Sequence, residues 1–208
     1  MPPLSLEIME QRREIWMPNV YQLKITIEDV EPPIWRRIVI PTNITFAKLH
    51  KIIQAAFGWQ NYHLYNFDFG DFVIAIPDPE YYAPGELYGK PEKNTKSTKV
   101  DQLFQAGESF IYEYDLGDSW MHEIMVEKIL EAEVGVHYPT CLDGARHRPP
   151  EDVGGTGGYA EFCRVISDKN DEEYEDMLVW AEKDTGGRKF DPEYFYLNEV
   201  NRALSKIK

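Results

Sequence analysis

Residues 20–59 read VYQLKITIEDVEPPIWRRIVIPTNITFAKLHKIIQAAFGW and contain two strand patterns followed by a helix pattern. The first pattern alternates apolar and polar residues, which is typical of a half-buried strand. Pro32 and Pro33 predict a turn, after which IWRRIVI predicts a second, antiparallel strand. Thr45 is a candidate N-cap for a helix through FAKLHKIIQAAF, and Gly58 is the expected end of that helix.

The rest of the chain continues with strands first and helices last. Strand pairs are predicted for HLYNFDF with DFVIAIP and for ESFIYEYDL with SWMHEIMVEKIL, each joined by a glycine-containing turn. Three helices are predicted for YAEFCRVIS, DEEYEDMLVWAEK and LNEVNRALSKI. This order predicts a single α+β domain, with a mostly antiparallel or mixed sheet and helices packed on one face.

The boundaries of this domain follow from the same patterns. Residues 1–17 are predicted to form an N-terminal helical extension, with the helix itself over 4–16, and residues 18–208 form the domain. Residues 77–99 lack an apolar period and predict a long exposed loop. A second loop is predicted for residues 135–158, which are rich in glycine and proline.

Composition excludes several classes of protein. The chain has 208 residues, 13% aromatic residues and a net charge of −14. The aromatic content requires a core, whereas an acidic surface repels phosphate backbones, so we expect no direct DNA binding. No apolar run approaches the length of a membrane span, and the first residues lack a signal-peptide core. Cys141 and Cys163 do not make a disulfide framework, so we expect a cytoplasmic protein.

The motif YDLGDSWMH lies in the most acidic part of the chain. Residues 101–160 hold twelve acidic and three basic residues, which would attract a cation or a basic partner. Asp115 and Asp118 lie at the predicted hairpin turn, and Trp120 and His122 share one face of the following strand. The two carboxylates and the imidazole are candidate ligands of a divalent metal, or an acid–base pair. The alternative is that they are ordinary turn and packing residues.

A second unusual stretch runs from Cys141 to Tyr159. It contains Arg148, Glu151 and Asp152, two prolines and a glycine-rich run that lacks the lysine of a phosphate-binding loop. Three further arrangements stay open at this point. They are zinc binding by His137, Cys141 and His147, nucleophilic attack by Cys141 with His122 or His147, and a mixed metal site that uses His122 or His63 with Asp115 or Asp118.

Four stretches carry a family resemblance: PPIWRRIVIP, LHKIIQAAFGW, YDLGDSWMHEI and PPEDVGGTGGYAEF, in this order. On these stretches the chain resembles the family named after the third open reading frame of plasmid pRiA4b, also labelled the insertion-element passenger TnpR family. The resemblance covers about residues 19–165. It implies an α+β fold and a location in mobile elements. It implies no established activity, and no residue role is carried over from it.

Two hypotheses of function follow. The first is a cytoplasmic binding or accessory module that recognises a protein or a small ligand at one rim of the sheet. We call this the rim site and define it by seven residues: Asp115, Asp118, Trp120, His122, Arg148, Glu151 and Asp152. The alternative is a metal-dependent hydrolase or nuclease-like enzyme with Asp115, Asp118, His122 and Glu151 around a divalent ion. The enzyme requires at least three of these groups to converge within reach of a metal.

One prediction concerns the arginines of the second strand. Arg36 and Arg37 point to opposite faces, so one of them turns inward. A buried guanidinium group requires a partner, and Asp115 or Glu151 would supply a carboxylate.

Overall fold

A computed structural model describes residues 19–76 and 89–207. The predicted N-terminal extension, residues 1–17, lies outside the described residues. The strands are β1 (Asn19–Ile27), β2 (Trp35–Pro41), β3 (Tyr65–Asp68), β4 (Val73–Ala75), β5 (Glu92–Asn94), β6 (Ser109–Tyr114), β7 (Trp120–Glu131) and β8 (Thr140–Ala145). The helices are α1 (Phe46–Phe57), α2 (Gly155–Ser167), α3 (Tyr174–Asp184) and α4 (Leu197–Leu204), with a 3-10 turn at Val100–Gln102.

The eight strands form one mixed sheet in the order β5-β4-β3-β6-β7-β1-β2-β8. All neighbours are antiparallel except β4 and β5, which run parallel. The β1–β2 and β6–β7 hairpins lie side by side because β1 pairs with β7 along its whole length. The helices lie on one face of this sheet, so the predicted α+β class is confirmed.

The pleat of the central strands explains which face the helices cover. Leu23 and Ile25 on β1 lie on the same face as Ile124 on β7, because Ile25 pairs directly with Ile124. These side chains share one apolar core with the buried stripe of α1. Ring contacts extend that core: Tyr159 of α2 meets Trp120 of β7 edge to face.

Both ends of α1 are closed as the sequence predicts. The side-chain oxygen of Thr45 accepts a hydrogen bond from the backbone N–H of Lys48 at 3.3 Å. At the other end Gly58 takes a left-handed conformation, φ 83°, and donates to the carbonyl of Gln54. Glycine adopts this conformation without the strain that a side chain would add.

The predicted carboxylate partner of Arg36 is wrong. Its buried guanidinium group donates to four backbone carbonyls, those of Trp35, Ala56, Ala145 and Arg146. Ala56 lies in the last turn of α1, where carbonyls have no partner within the helix and the helix dipole favours a cation. The arginine therefore closes a helix end. Its burial lowers the pKa to about 10, so it stays charged near neutral pH.

Two of the predicted loops contain strands. Within residues 77–99 the structure places β5, which adds to the sheet edge beside β4. Within residues 135–158 it places β8, which pairs with β2. It also begins α2 at Gly155, ahead of the predicted start near Tyr159. Both strands are short and carry polar residues, so they lack the apolar alternation that predicts a strand from sequence. Nowhere in the described ranges is a helix both long and apolar enough to cross a lipid bilayer.

Candidate functional site

The turn between β6 and β7 positions Asp115. This residue has a positive φ of 59°, a conformation that aspartate adopts more readily than most residues. Its Oδ1 accepts a hydrogen bond from the backbone N–H of Gly117 at 3.0 Å. Its Oδ2 lies on the other side of the turn, 3.6 Å from Nε2 of His63.

The stretch that precedes α2 lies directly against this turn. Asp118 Oδ2 accepts a hydrogen bond from the backbone N–H of Gly154 at 2.9 Å. The approach is so close that a Cβ on Gly155 would lie 2.6 Å from the carbonyl oxygen of Asp118. The two motifs, far apart in sequence, therefore meet at one end of the sheet. Asp152, which lies in this stretch, also has a positive φ, 58°.

Three carboxylates surround one imidazole nitrogen at this junction. Nε2 of His63 lies 3.3 Å from Asp152 Oδ1, 3.6 Å from Asp115 Oδ2 and 3.7 Å from Glu151 Oε2. We call His63, Asp115, Glu151 and Asp152 the carboxylate–histidine cluster. The ligand atoms of His63, Asp115 and Asp152 all lie within 4.8 Å of one another. Nε2 is buried and makes no hydrogen bond to any described residue.

The cluster is buried at one end and open at the other. Glu151 is buried, and burial raises the pKa of its carboxyl group. Its Oε1 accepts a 2.6 Å hydrogen bond from the backbone N–H of Gln60 and a longer one from the hydroxyl of Tyr114. The side chain of Asp152, in contrast, is 71% exposed. A ligand can therefore approach from the Asp152 side.

Arg148 is a buried residue that acts on the cluster indirectly, through Asp184 and Gln60. The guanidinium group is buried, donates to both carboxylate oxygens of Asp184 and lies over the ring of Trp59. Asp184 also accepts from the side chain of Gln60, whose backbone N–H holds Glu151. This network fixes the position of Glu151. Since Arg148 is buried and gives four of its five N–H groups to Gly58, Pro149 and Asp184, its expected place at the rim is corrected.

Trp120 and His122 lie in the core, and this corrects their expected place at the rim. Trp59 Nε1 donates to Nε2 of His122 at 3.2 Å, and an indole N–H can only donate, so Nε2 is the accepting nitrogen. Nδ1 therefore carries the proton and donates to the carbonyl of Trp120 at 2.9 Å. Burial lowers the pKa of His122 to about 4, which keeps the ring neutral. Both ring nitrogens are occupied, so His122 cannot bind a metal at the rim.

The proposed metal ligands are thus only partly brought together. Of Asp115, Asp118 and His122, the structure places Asp115 in the cluster. Asp118 lies outside it because its carboxylate holds the backbone of the neighbouring stretch. Two other residues of the rim site, Glu151 and Asp152, join Asp115.

His63 completes the cluster and is absent from the seven-residue rim site. Its place follows from the register between β3 and β6, in which Tyr65 pairs with Tyr114. This pairing continues beyond the strands, where the backbone N–H of Asp115 donates to the carbonyl of Leu64 at 2.9 Å. His63 therefore lies beside the β6–β7 turn. Among the arrangements that the sequence leaves open, the one that joins His63 to Asp115 is the one whose residues the structure brings together.

The cysteine-based alternatives do not fit the structure. Cys141 is buried on β8, and burial raises the pKa of its thiol to about 11, which is unfavourable for a nucleophile. Nδ1 of His147 is occupied by the carbonyl of Arg148 at 2.6 Å. Within the described ranges, His137, Cys141 and His147 do not form a group with metal-binding spacing.

Comparison with known proteins identifies the family. A family model described as plasmid pRiA4b ORF-3-like protein matches residues 19–199. The chain belongs to this family. The match reaches well beyond the stretches that carry the resemblance and includes every residue of the carboxylate–histidine cluster.

Two known proteins are similar to this pRiA4b ORF-3-like chain over most of their length. A Sinorhizobium fredii protein, described as uncharacterized protein y4hQ, is 35% identical over 191 residues, which cover 91% of this chain and 92% of that protein. A crystal structure of a Methanosarcina mazei Go1 protein of unknown function, MM3350, has a TM-score of 0.77 and 38% sequence identity. That match covers 88% of this chain and 98% of the other.

Proposed function

We propose that this protein is a binding module whose carboxylate–histidine cluster holds a divalent cation. One observation carries the proposal. Nε2 of His63 is buried without a hydrogen bond, and three carboxylate oxygens lie 3.3–3.7 Å from it. A buried polar atom without a partner is unfavourable, and three carboxylates held together repel one another. A divalent cation between them would relieve both.

The distances within the cluster support this proposal. Ligands about 2.1 Å from a metal lie about 3.0–3.5 Å from one another, for octahedral and tetrahedral arrangements alike. The distances from Nε2 of His63 to the three carboxylates lie within a few tenths of an ångström of that range. His63, Asp115 and Asp152, whose ligand atoms lie within 4.8 Å of one another, would move closer together to coordinate the cation. An imidazole with carboxylates favours Mn²⁺ or Zn²⁺ over Ca²⁺, which prefers oxygen ligands alone.

The exposure of Asp152 supports a role in binding rather than a purely structural one. Structural metal sites are closed by four protein ligands, whereas this cluster is open on one side. Coordination positions on that side would be free for a protein or a small ligand, which is the partner that we propose. We further propose that the module acts in the cytoplasm, where Cys141 and Cys163 would remain the free thiols that they are here. Direct contact with DNA is not part of the proposal, because of the net charge of −14.

Calorimetric titration of the chelator-treated protein with Mn²⁺ and Zn²⁺ tests the cation site. We expect one cation per chain, with affinity lost in His63→Gln and Asp115→Asn. His137→Gln and Asp71→Asn are matched controls, because both residues are exposed and lie outside the cluster. Absence of binding at millimolar metal, or equal binding in all four variants, would contradict the proposal.

A metal-dependent hydrolase is the second candidate, and the position of Glu151 favours it, because this buried carboxyl group lies 3.7 Å from Nε2 of His63 and accepts a hydrogen bond from the hydroxyl of Tyr114. A carboxyl group whose pKa lies closer to neutral is better suited to exchange a proton with a substrate or a water molecule. Mn²⁺-dependent hydrolysis of a chromogenic phosphodiester or ester would support this candidate. The activity should be lost in Glu151→Gln while cation affinity falls less than in Asp115→Asn. No turnover with any substrate class would leave the binding module as the function.

A further inference from the structure

A groove of about 480 Å³ lies between α2 and α3 and begins at Asp152. Its volume falls within the range of about 300–1,000 Å³ that is typical of small-molecule sites. The apolar part of its lining comes mainly from Phe162, Met177 and Trp180. Glu173 and Asp176 add carboxylates along α3.

The apolar wall of the groove contains two packed aromatic rings, those of Phe162 and Trp180. Phe162 is buried and packs against Trp180 edge to face, with ring centroids 5.9 Å apart, and against Phe190 from the other side. Trp180 is only partly buried, so part of its ring remains available to a ligand. Indole is the aromatic group that binds cations most strongly through its face.

The charged side chains that line the groove are all acidic. Among the residues that line it there are four carboxylates and neither lysine nor arginine. One of the four, Glu161, is neutralised by an ion pair with Arg164 at 2.7 Å. Asp152 lies 3.3 Å from Nε2 of His63, whereas the carboxylates of Glu173 and Asp176 have no lysine, arginine or histidine partner among the described residues. An anionic ligand would be repelled here, and a neutral apolar one would leave three carboxylates partly desolvated.

We propose that this groove binds a small organic cation, an amine with an apolar body. The body would lie on Met177 and Trp180, which Phe162 supports from within the core, and the ammonium group among Asp152, Glu173 and Asp176. Both parts of such a ligand find complementary chemistry, whereas an inorganic cation would use the carboxylates alone. The proposal goes beyond the cation site and does not require it, although Asp152 is common to both.

Titration with phenethylamine, followed by NMR or calorimetry, tests this proposal. The comparison ligands are 2-phenylethanol and 3-phenylpropionate, which keep the ring and replace the ammonium group by a neutral or an anionic one. We expect phenethylamine to bind about tenfold more tightly than the alcohol, and the carboxylate not to bind. The double variant Glu173→Gln with Asp176→Asn should lose most of that preference.

The matched control is the double variant Glu172→Gln with Glu175→Gln, which removes the same charge from neighbouring exposed positions outside the groove. This control should bind phenethylamine as the original protein does. Equal affinity for the amine and the alcohol, equal loss in both double variants, or no amine binding at about 10 mM would each overturn the proposal. All titrations are run with excess chelator, so that failure of the metal site would leave this result unaffected.

Discussion

Replacing Asp184 by alanine should remove the charge that compensates the buried Arg148. The side chains of Arg148 and Asp184 are only 2% and 9% exposed, and two hydrogen bonds of 2.7 and 3.1 Å join them. Removing one partner of a buried ion pair costs about 3–5 kcal/mol, because the remaining charge stays buried. Arg148 keeps the carbonyls of Gly58 and Pro149 and the face of Trp59, so we expect the lower end, about 3 kcal/mol.

Urea unfolding followed by tryptophan fluorescence measures this loss. Glu193→Ala is the matched control, because it removes a carboxylate from the exposed end of an ion pair, while its partner Arg146, only 11% exposed, keeps a hydrogen bond to the carbonyl of Pro32. Glu193 is 69% exposed, and a pair of that kind contributes about 0–1 kcal/mol. A loss below about 1 kcal/mol for Asp184→Ala, or equal losses for both variants, would refute the argument that burial sets the energy of this network.

Two more predictions concern glycine packing and pH. A Cβ on Gly158 would clash with the backbone carbonyl of Val153, whereas a Cβ on Gly157 would meet no atom within 4 Å. Urea unfolding should therefore show that Gly158→Ala lowers the free energy of unfolding by more than about 2 kcal/mol, and that Gly157→Ala raises it by up to about 1 kcal/mol. Burial lowers the pKa of His50, His122 and His147 to about 4, below the ordinary value of 6.5. The unfolded chain therefore binds more protons than the folded one between these values, so stability should be complete above pH 6.5 and fall as the pH drops to about 4. Urea midpoints measured at pH 7.5, 5.5 and 4.5 check the sign, and an unchanged midpoint would contradict it.

Local signals explain which parts of the fold are predictable. Thr45 and Gly58 mark the two ends of α1 because capping depends only on neighbouring residues. In contrast, β5 and β8 lie at the two edges of the sheet, and neither shows an apolar period that would reveal it. Their pairing depends on contacts with β4 and β2, which no short window of sequence contains.

In the candidate site, too, residues marked by a local pattern are predictable, and residues placed by strand pairing are not. Asp115 and Asp152 are found from sequence because aspartates at turns beside glycine are a local pattern. The period of two correctly places Trp120 and His122 on a common face, but that face is the buried one. The sequence offers His63 beside Asp115 only as one of several open alternatives, because the pairing of β3 with β6 that brings them together is not visible in any short stretch of sequence.

Anomalous diffraction from crystals soaked in Mn²⁺ tests the cation site most directly. We expect one strong anomalous peak about 2.2 Å from Nε2 of His63, with oxygens of Asp115 and Asp152 in the same coordination shell. The peak should be absent from crystals of His63→Gln. A peak only at another place would contradict the claim that this junction is a metal site. So would the absence of a peak at the cluster, with His63 hydrogen-bonded directly to the carboxylates.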